Sequence, residues 1–491
     1  VPREALRVVC YAVNGTGVGH VTRLLSIARW LRRYAATLDQ KLEVWFLTSS
    51  EADGLAFAEG FAAFKIPSKT IVGEAGIDRV AYRALAKQWI WHTLGLLRPD
   101  LLVVDTFPRG SFGELLGALD LCRHTAFVYR PVRAEISGRA DFQSMLPLYD
   151  LIVVPEPSSD VLAPLAVRDR LIHVGPVLSR ERWELVPRAL ARARLGIPEE
   201  KKCVFVSAGG GGDRDAETHI EATVRSLAAE PGIEVLVGSG PLYRGRPFPR
   251  VTTLSGRAAS WSLAFDAAVC AAGYNTFGEL MFAGVPTAFL PQEKLADDQR
   301  ARAQHAVAKG AASMLDPGSD VVAVVKELLA RPGASHAARS LVPENGARLA
   351  AAELLRLICP ATSVDRVEAT LDDALLGGIA MTEGRRELDV LSLAGRLARG
   401  CEAELFVSIE RASALLEGHD PREVRGLLDA IVRGLPSSSV RARALVCGTV
   451  LGDLVTLVPG DGAAARGAVA EGRWGGGGAS DGLSLARAMR G

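Results

Sequence analysis

The chain has no surplus of either charge. Lys and Arg number 57 against 56 Asp and Glu, for a formal net charge of +1. That balance excludes a generally basic surface, and no nucleic-acid partner is expected. Cysteine is scarce too: seven residues, none in Cys-x-x-Cys spacing. This argues against a zinc ribbon and fits a reducing compartment, where a free thiol in an apolar run packs as a small hydrophobe. No apolar run approaches the about 20 residues needed to cross a bilayer. The chain opens Val1-Pro2-Arg3-Glu4 and enters a strand-like run at Leu6, so no signal peptide is expected. A cytoplasmic location follows, with the inner face of a membrane left open.

What is present is an alternation of short apolar runs with helical stretches. At 491 residues the chain exceeds one ordinary core, so two or three domains are expected. Strand candidates in the first part are Leu6–Val13, Leu42–Thr48, Phe61–Ile66, Leu101–Asp105, Thr125–Tyr129, Leu151–Val154 and Leu171–Val174. Runs apolar on both faces read as buried parallel strands. A break at Gly175-Pro176-Val177-Leu178 precedes a second series: Cys203–Ser207, Ile233–Val237, Val251–Leu254, Ala267–Ala271, Thr287–Leu290 and Ala312–Leu315. A helix over Ala347–Ile358 closes it. The expected fold is α/β: two Rossmann-like, doubly wound domains facing a cleft, plus a mostly helical C-terminal extension. The boundaries read as 1–178, 179–360 and 361–491, the last ending in a Gly/Ala-rich segment that carries no motif tied to a reaction.

Two glycine-dense turns carry the chemistry. The first, Asn14-Gly15-Thr16-Gly17-Val18-Gly19-His20, joins a strand-like run to a helix over Val21–Tyr34. It is neither a Gly-x-Gly-x-x-Gly fingerprint nor a Walker loop, and Glu43 stands at the start of the second strand, not its end. Gly17 and Gly19 permit close backbone approach. His20 falls at the C-terminal edge of the sheet, where it can take a proton near neutral pH, or merely bond the turn. Asp105, ending its own strand, could orient the imidazole or cap the next helix.

The second turn, Gly273-Tyr274-Asn275-Thr276, opens a helix whose first amides face outward, as an anion requires. Glu279 follows one turn later, and Asp297-Asp298-Gln299 comes downstream. Asp298 and Gln299 suit either sugar hydroxyls or an ordinary helix N-terminus. Gly209, Gly210 and Gly211 lie in a four-glycine run after a strand, suited to a pyrophosphate or to a surface loop.

Taken together, Gly15–His20, Gly175-Pro176-Val177, Gly209–Gly212 and the register Gly273, Asn275, Thr276, Glu279, Gly284, Pro286, Asp298, Gln299 resemble the GT-B superfamily of inverting glycosyltransferases. The likeness covers roughly residues 6–358 and is greatest to the branch containing the peptidoglycan N-acetylglucosaminyl transferase. The resemblance implies a nucleotide-diphosphate sugar donor, UDP-linked, with Ser255–Arg257 near the base and Gly209–Gly211 near the phosphates. It gives Thr276 the α-phosphate, Glu279 the ribose, and Asp298 with Gln299 the sugar. His20 and Asp105 become base and orienter.

The run Asp105-Thr106-Phe107-Pro108-Arg109-Gly110 differs from the peptidoglycan enzyme, so that acceptor is not expected. The acceptor stays open among small molecules, lipids and glycans, as do peripheral membrane contact and oligomeric state. Neither metal nor cofactor is expected. Alternatives are a UDP-sugar epimerase or hydrolase of this fold, a non-catalytic nucleotide-sugar-binding or scaffold protein, and, third, a dinucleotide oxidoreductase.

Overall fold

The computed structural model describes residues 5–367 apart from 14–16, 39, 159–160, 187, 208, 210–213, 241–242, 244–247, 249–250, 255–257, 295, 317, 362 and 366. The expected C-terminal extension therefore lies almost wholly outside the described residues, as do Gly210, Gly211 and Arg257.

Seven strands form the first sheet: β1 (Leu6–Ala12), β2 (Leu42–Thr48), β3 (Ala62–Lys65), β4 (Leu101–Asp105), β5 (Thr125–Val128), β6 (Leu151–Val154) and β7 (Leu171–His173). Six form the second: β8 (Lys202–Ser207), β9 (Ile233–Gly238), β10 (Thr252–Leu254), β11 (Ala267–Cys270), β12 (Thr287–Phe289) and β13 (Ala312–Met314). The orders are β3-β2-β1-β4-β5-β6-β7 and β10-β9-β8-β11-β12-β13, with every pairing parallel. Both are Rossmann-like, doubly wound sheets.

The apolar runs explain them. Val8, Cys10 and Val103 pack into one core layer, and Val9, Tyr11 and Val104 into another on the opposite face. Each such side chain taken out of water contributes roughly 1.5–3 kcal/mol, so a strand buried on both faces is held in register from two sides.

In each sheet the order reverses once, between β1 and β4 and between β8 and β11. At such a switch point the flanking loops diverge and leave a crevice beyond the strand C-termini. His20, in the first turn of α1 after β1, and Asp105, the last residue of β4, stand at this edge. The loops after β8 and β11 carry Gly209 and Gly273.

Four helices shape the space between the lobes: α1 (Gly19–Thr37), α2 (Tyr274–Ala283), α3 (Gln299–Ala308) and α4 (Ala347–Ile358). On α1, Leu24, Ile27, Ala28 and Leu31 pack into the core, while Arg23, Arg29 and Arg33 are buried yet bonded. The helix α4, placed by pattern with the second series, lies against α1 of the first. Its small face (Ala347, Ala350, Ala351) lets the two helices approach closely, and Arg348 stacks on Trp30 at 5.7 Å. Among the described residues no helix is long and apolar enough to cross a membrane.

Candidate active site

Between the lobes lies a solvent-open cavity of about 160 Å³. The first lobe supplies Thr22, Ser26 and Arg29 from α1, and Leu55 and Glu59 from the segment after β2. The second supplies Phe205, Ser207, Gly209, Gly238, Ser262, Thr276 and Glu279.

The helix α2 enters this space with its N-terminus open. Gly273 at its N-cap has extended backbone (φ −61°, ψ 145°) and no side chain caps it. Phe277 N reaches back to Gly273 O at 2.9 Å, so the amides of Tyr274, Asn275 and Thr276 precede the first helical bond. Unpaired amides at the positive end of a helix dipole attract an anion, and Thr276 brings a hydroxyl to the same place. Glu279, one turn on, is half-buried and accepts from Ser179 Oγ at 2.6 Å. Burial raises its carboxyl pKa, opposed by the Ser179 hydrogen bond and the Arg180 charge. Ser179 follows the interlobe break, so the acid of one lobe is engaged by the connection to the other.

The remaining charges in the cavity pair among themselves. Arg180 meets Glu59 at 2.7 Å, and Arg29 bonds Ser179 O and Glu184. Ser262 is an exception: its hydroxyl is buried on the cavity wall without a hydrogen-bond partner. An orphaned donor costs roughly 1–3 kcal/mol, so a polar ligand atom there would relieve it. Phe205 and Phe265 stack face to face at 4.6 Å alongside.

His20 and Asp105 meet at the first switch point. His20 Nδ1 lies 2.5 Å from Asp105 Oδ2, leaving Nε2 clear of that bond. Three groups converge on this carboxylate. Arg23 Nη1 is 2.7 Å from both of its oxygens, and Thr106 Oγ1 donates to Oδ2 at 2.9 Å. Thr106 is held at φ +62°, an uncommon state for a β-branched residue. Burial would raise the Asp105 pKa, but Arg23 and His20 bring it down to about 2. For His20, burial lowers the pKa, Asp105 opposes, and Arg23 and Arg130 add to the lowering. The imidazole is therefore neutral near pH 7 and able to accept a proton. Phe107 packs beside it, ring centroids 5.6 Å apart.

The second lobe joins here through α2. Asn275 Nδ2 donates to Gly19 O at 3.3 Å, and Arg23 Nη2 donates to Asn275 Oδ1 at 3.4 Å. Tyr274 donates its hydroxyl to Pro155 O, and its ring lies under Arg23, Arg130 and Arg302 at 4.9, 5.9 and 5.5 Å. Arg130 and Arg302 share Asp297, at 2.8 and 2.7 Å.

The expected residues thus divide. Gly209, Asn275, Thr276 and Glu279 line the cavity; His20 and Asp105 do not, and are linked to it through Arg23, which bonds Asp105 and Asn275, and through Gly19 O, which accepts from Asn275. Gly17 is half-buried in the turn before α1. Gly19 and Gly273 are backbone contributors at the starts of α1 and α2. Asp298 is the N-cap of α3, accepting from Ala301 N at 3.0 Å, and does not line the cavity. Gln299 is buried, accepts from Gln292 N at 3.0 Å, and lies 4.0 Å from where a Gly273 side chain would begin. Sequence reasoning missed Arg23, Ser179, Arg130 and Arg302. Only Arg23 carried a local signal, three residues after His20 on one helix face. Among the described residues no three His, Cys, Asp or Glu side chains gather as a metal site.

No family model matches the chain. Over 183 residues it is 30% identical to the UDP-N-acetylglucosamine--N-acetylmuramyl-(pentapeptide) pyrophosphoryl-undecaprenol N-acetylglucosamine transferase of Rhodococcus opacus, which is 35% of this chain and 47% of that protein. The transferase of the same name from Ralstonia nicotianae is 25% identical over 390 residues, 74% of this chain and 98% of that one. The chain spans about half the length of the two Rhodococcus relatives it matches. These relatives carry the name of the branch that the two glycine turns resemble. Among solved structures, the glycosyltransferase SnogD from Streptomyces nogalater is 18% identical with a TM-score of 0.49, covering 72% of this chain and 99% of that one. MurG of Acinetobacter baumannii is 16% identical with a TM-score of 0.44, covering 72% and 99%.

Proposed function

We propose that this chain transfers a sugar from a nucleotide-diphosphate sugar, UDP-linked, to an acceptor hydroxyl with inversion at the anomeric carbon. One observation carries the reading. The uncapped start of α2 opens into the interlobe cavity, and its Asn275 bonds Gly19 O, next to the carboxylate-held His20, and Arg23, which also holds Asp105. An anion site and a base, one from each lobe, are what a single displacement needs.

In this reading the diphosphate lies on the amides of α2 and the Thr276 hydroxyl, with Gly209–Gly211 approaching it from β8. Glu279 exchanges Ser179 for the ribose hydroxyls. The family resemblance assigns Arg257 to the base and Asp298 with Gln299, at the start of α3, to the sugar. Gly17 and Gly19 leave room for the donor against α1. His20 Nε2 takes the acceptor proton as the acceptor oxygen bonds the anomeric carbon. The bond from that carbon to the phosphate oxygen breaks, and the nucleoside diphosphate departs with its charge met by main-chain amides. Asp105 keeps the proton of His20 on Nδ1 and stabilises the imidazolium that forms. Neither a cofactor nor a divalent ion is part of this sequence. The acceptor is a hydroxyl-bearing small molecule, lipid or glycan; the relatives' names specify a polyprenol-linked one for those proteins.

A thermal-shift screen tests the donor. Uridine and thymidine diphosphates and their sugars should raise the melting temperature, while nicotinamide dinucleotides should not. Donor consumption that requires an acceptor then separates transfer from hydrolysis or epimerisation. No shift with any nucleoside diphosphate would overturn the reading.

A further inference from the structure

The proposed reaction uses His20 and Asp105, yet the best-bonded group at the dyad is Arg23. Its Nη1 lies 2.7 Å from both Asp105 oxygens, and its Nη2 reaches Asn275 of the other lobe at 3.4 Å. Its guanidinium stacks on Tyr274 at 4.9 Å, and it is 2% exposed. Its Nε is buried with no hydrogen-bond partner.

We propose that Arg23 is a positioning residue for the dyad: it fixes the Asp105 carboxylate against His20 Nδ1 and keeps the imidazole an unprotonated base. This deepens the proposed transfer and rests on it for its kinetic consequence.

The physical argument has two parts. A carboxylate bound to histidine alone can rotate, and it attracts a second proton onto the imidazole. Arg23 limits both freedoms: its Nη1 sits 2.7 Å from each oxygen and shares their charge, while its Nη2 is held by Asn275 of the other lobe. The groups facing His20 are Asp105 from β4, Arg23 from α1 and Arg130 from beyond β5, with Asn275 and Tyr274 of α2 packed behind Arg23. Arg130 is already committed to Asp297 at 2.8 Å. Arg23 is therefore the cation that decides how strongly Asp105 draws a proton onto the ring. Asn275 and Tyr274 tie this alignment to α2, so the dyad is fully braced with the second lobe docked on α1.

The test is a titration of the His20 imidazole by nitrogen-detected NMR in the full chain, assigned by comparison with His20→Gln. In Arg23→Gln the His20 midpoint should rise by about 1 pH unit or more. The acidic limb of kcat/KM should move with it. Arg23→Lys keeps the charge but loses the Nη2 contact to Asn275 and the guanidinium stacking on Tyr274. It should move the midpoint less than half as far and still lower kcat at least about tenfold. A folded Arg23→Gln with an unchanged midpoint overturns the proposal. If Arg23→Gln does not fold, Arg23→Lys with wild-type kcat and an unchanged proportion of the Nδ1-protonated tautomer does so. The titration needs no turnover. A midpoint that shifts in a chain that transfers no sugar would sink the transferase reading and leave this one standing.

Discussion

Glu279 and Ser179 are joined by a 2.6 Å hydrogen bond across 100 residues of chain, so the acid on α2 is held by the segment connecting the lobes. In the proposed reaction a donor ribose would displace that serine. Glu279→Ala should weaken nucleoside diphosphate binding by about 10–100-fold, the worth of hydrogen bonds to a charged acceptor. Calorimetric titration measures it, and an unchanged Kd would remove Glu279 from the ribose.

Removal of the base should separate chemistry from binding. His20→Ala and Asp105→Asn are each expected to lower kcat by about 10²–10⁴-fold, the usual range for a general base. Donor Kd should stay within about threefold, because the cavity wall is left intact. Single-turnover kinetics beside equilibrium binding checks both, and a full-rate His20→Ala enzyme would exclude that histidine.

A buried acid at the interlobe connection gives a stability signature. Glu181 accepts from Trp30 Nε1 at 2.8 Å and Asn345 Nδ2 at 2.9 Å. Burial first, then the neighbouring Glu184, raises its pKa from 4.5 to about 7 against the opposing influence of Trp30, Arg33 and Arg29. Because the folded value lies above the unfolded one, its contribution is complete below about 4.5. It is lost as pH rises through about 7. Melting temperatures taken between about pH 5 and pH 8 should fall, and Glu181→Gln should flatten that fall. Superimposable profiles would refute the assignment.

Gly238 ends β9 where the cavity wall begins. A methyl there would stand 2.5 Å from Phe205 Cζ and 3.1 Å from Ser207 Oγ. Gly238→Ala must therefore push the Phe205 ring off Phe265 and into the cavity. The expected cost is about 1–3 kcal/mol of stability together with weaker nucleotide binding. Chemical denaturation and calorimetry report the two effects, and a neutral variant would mean the ring is free to move.

Much of this was legible because the strands are apolar on both faces. β2, β4 and β6 match the expected Leu42–Thr48, Leu101–Asp105 and Leu151–Val154, and the helix Ala347–Ile358 has the bounds its periodicity gives. The ends of β1 and β4 place His20 and Asp105 for the same reason: parallel strands deliver their C-terminal residues to one edge. Contacts that depend on two distant segments meeting were not legible. Nothing in the local pattern of Ser179 indicates Glu279, and nothing around Arg130 indicates Asp297. The packing of α4 on α1 was hidden similarly, since an alanine-rich face fits many partners. Asp298 had two readings in the sequence, and its bond to Ala301 N shows capping geometry.

Asn345 binds the outgoing connection at three backbone points: Leu178 N at 2.9 Å, and Leu178 O and Arg180 O at 3.2 Å each. Gly346, with its N–H on Pro176 O at 2.8 Å, leaves no space for a side chain beside Val174 O and Gly175 O. The polypeptide therefore passes between the lobes twice at a single spot, stitched together there. Any relative motion of the lobes must therefore bend at this joint or break its hydrogen bonds.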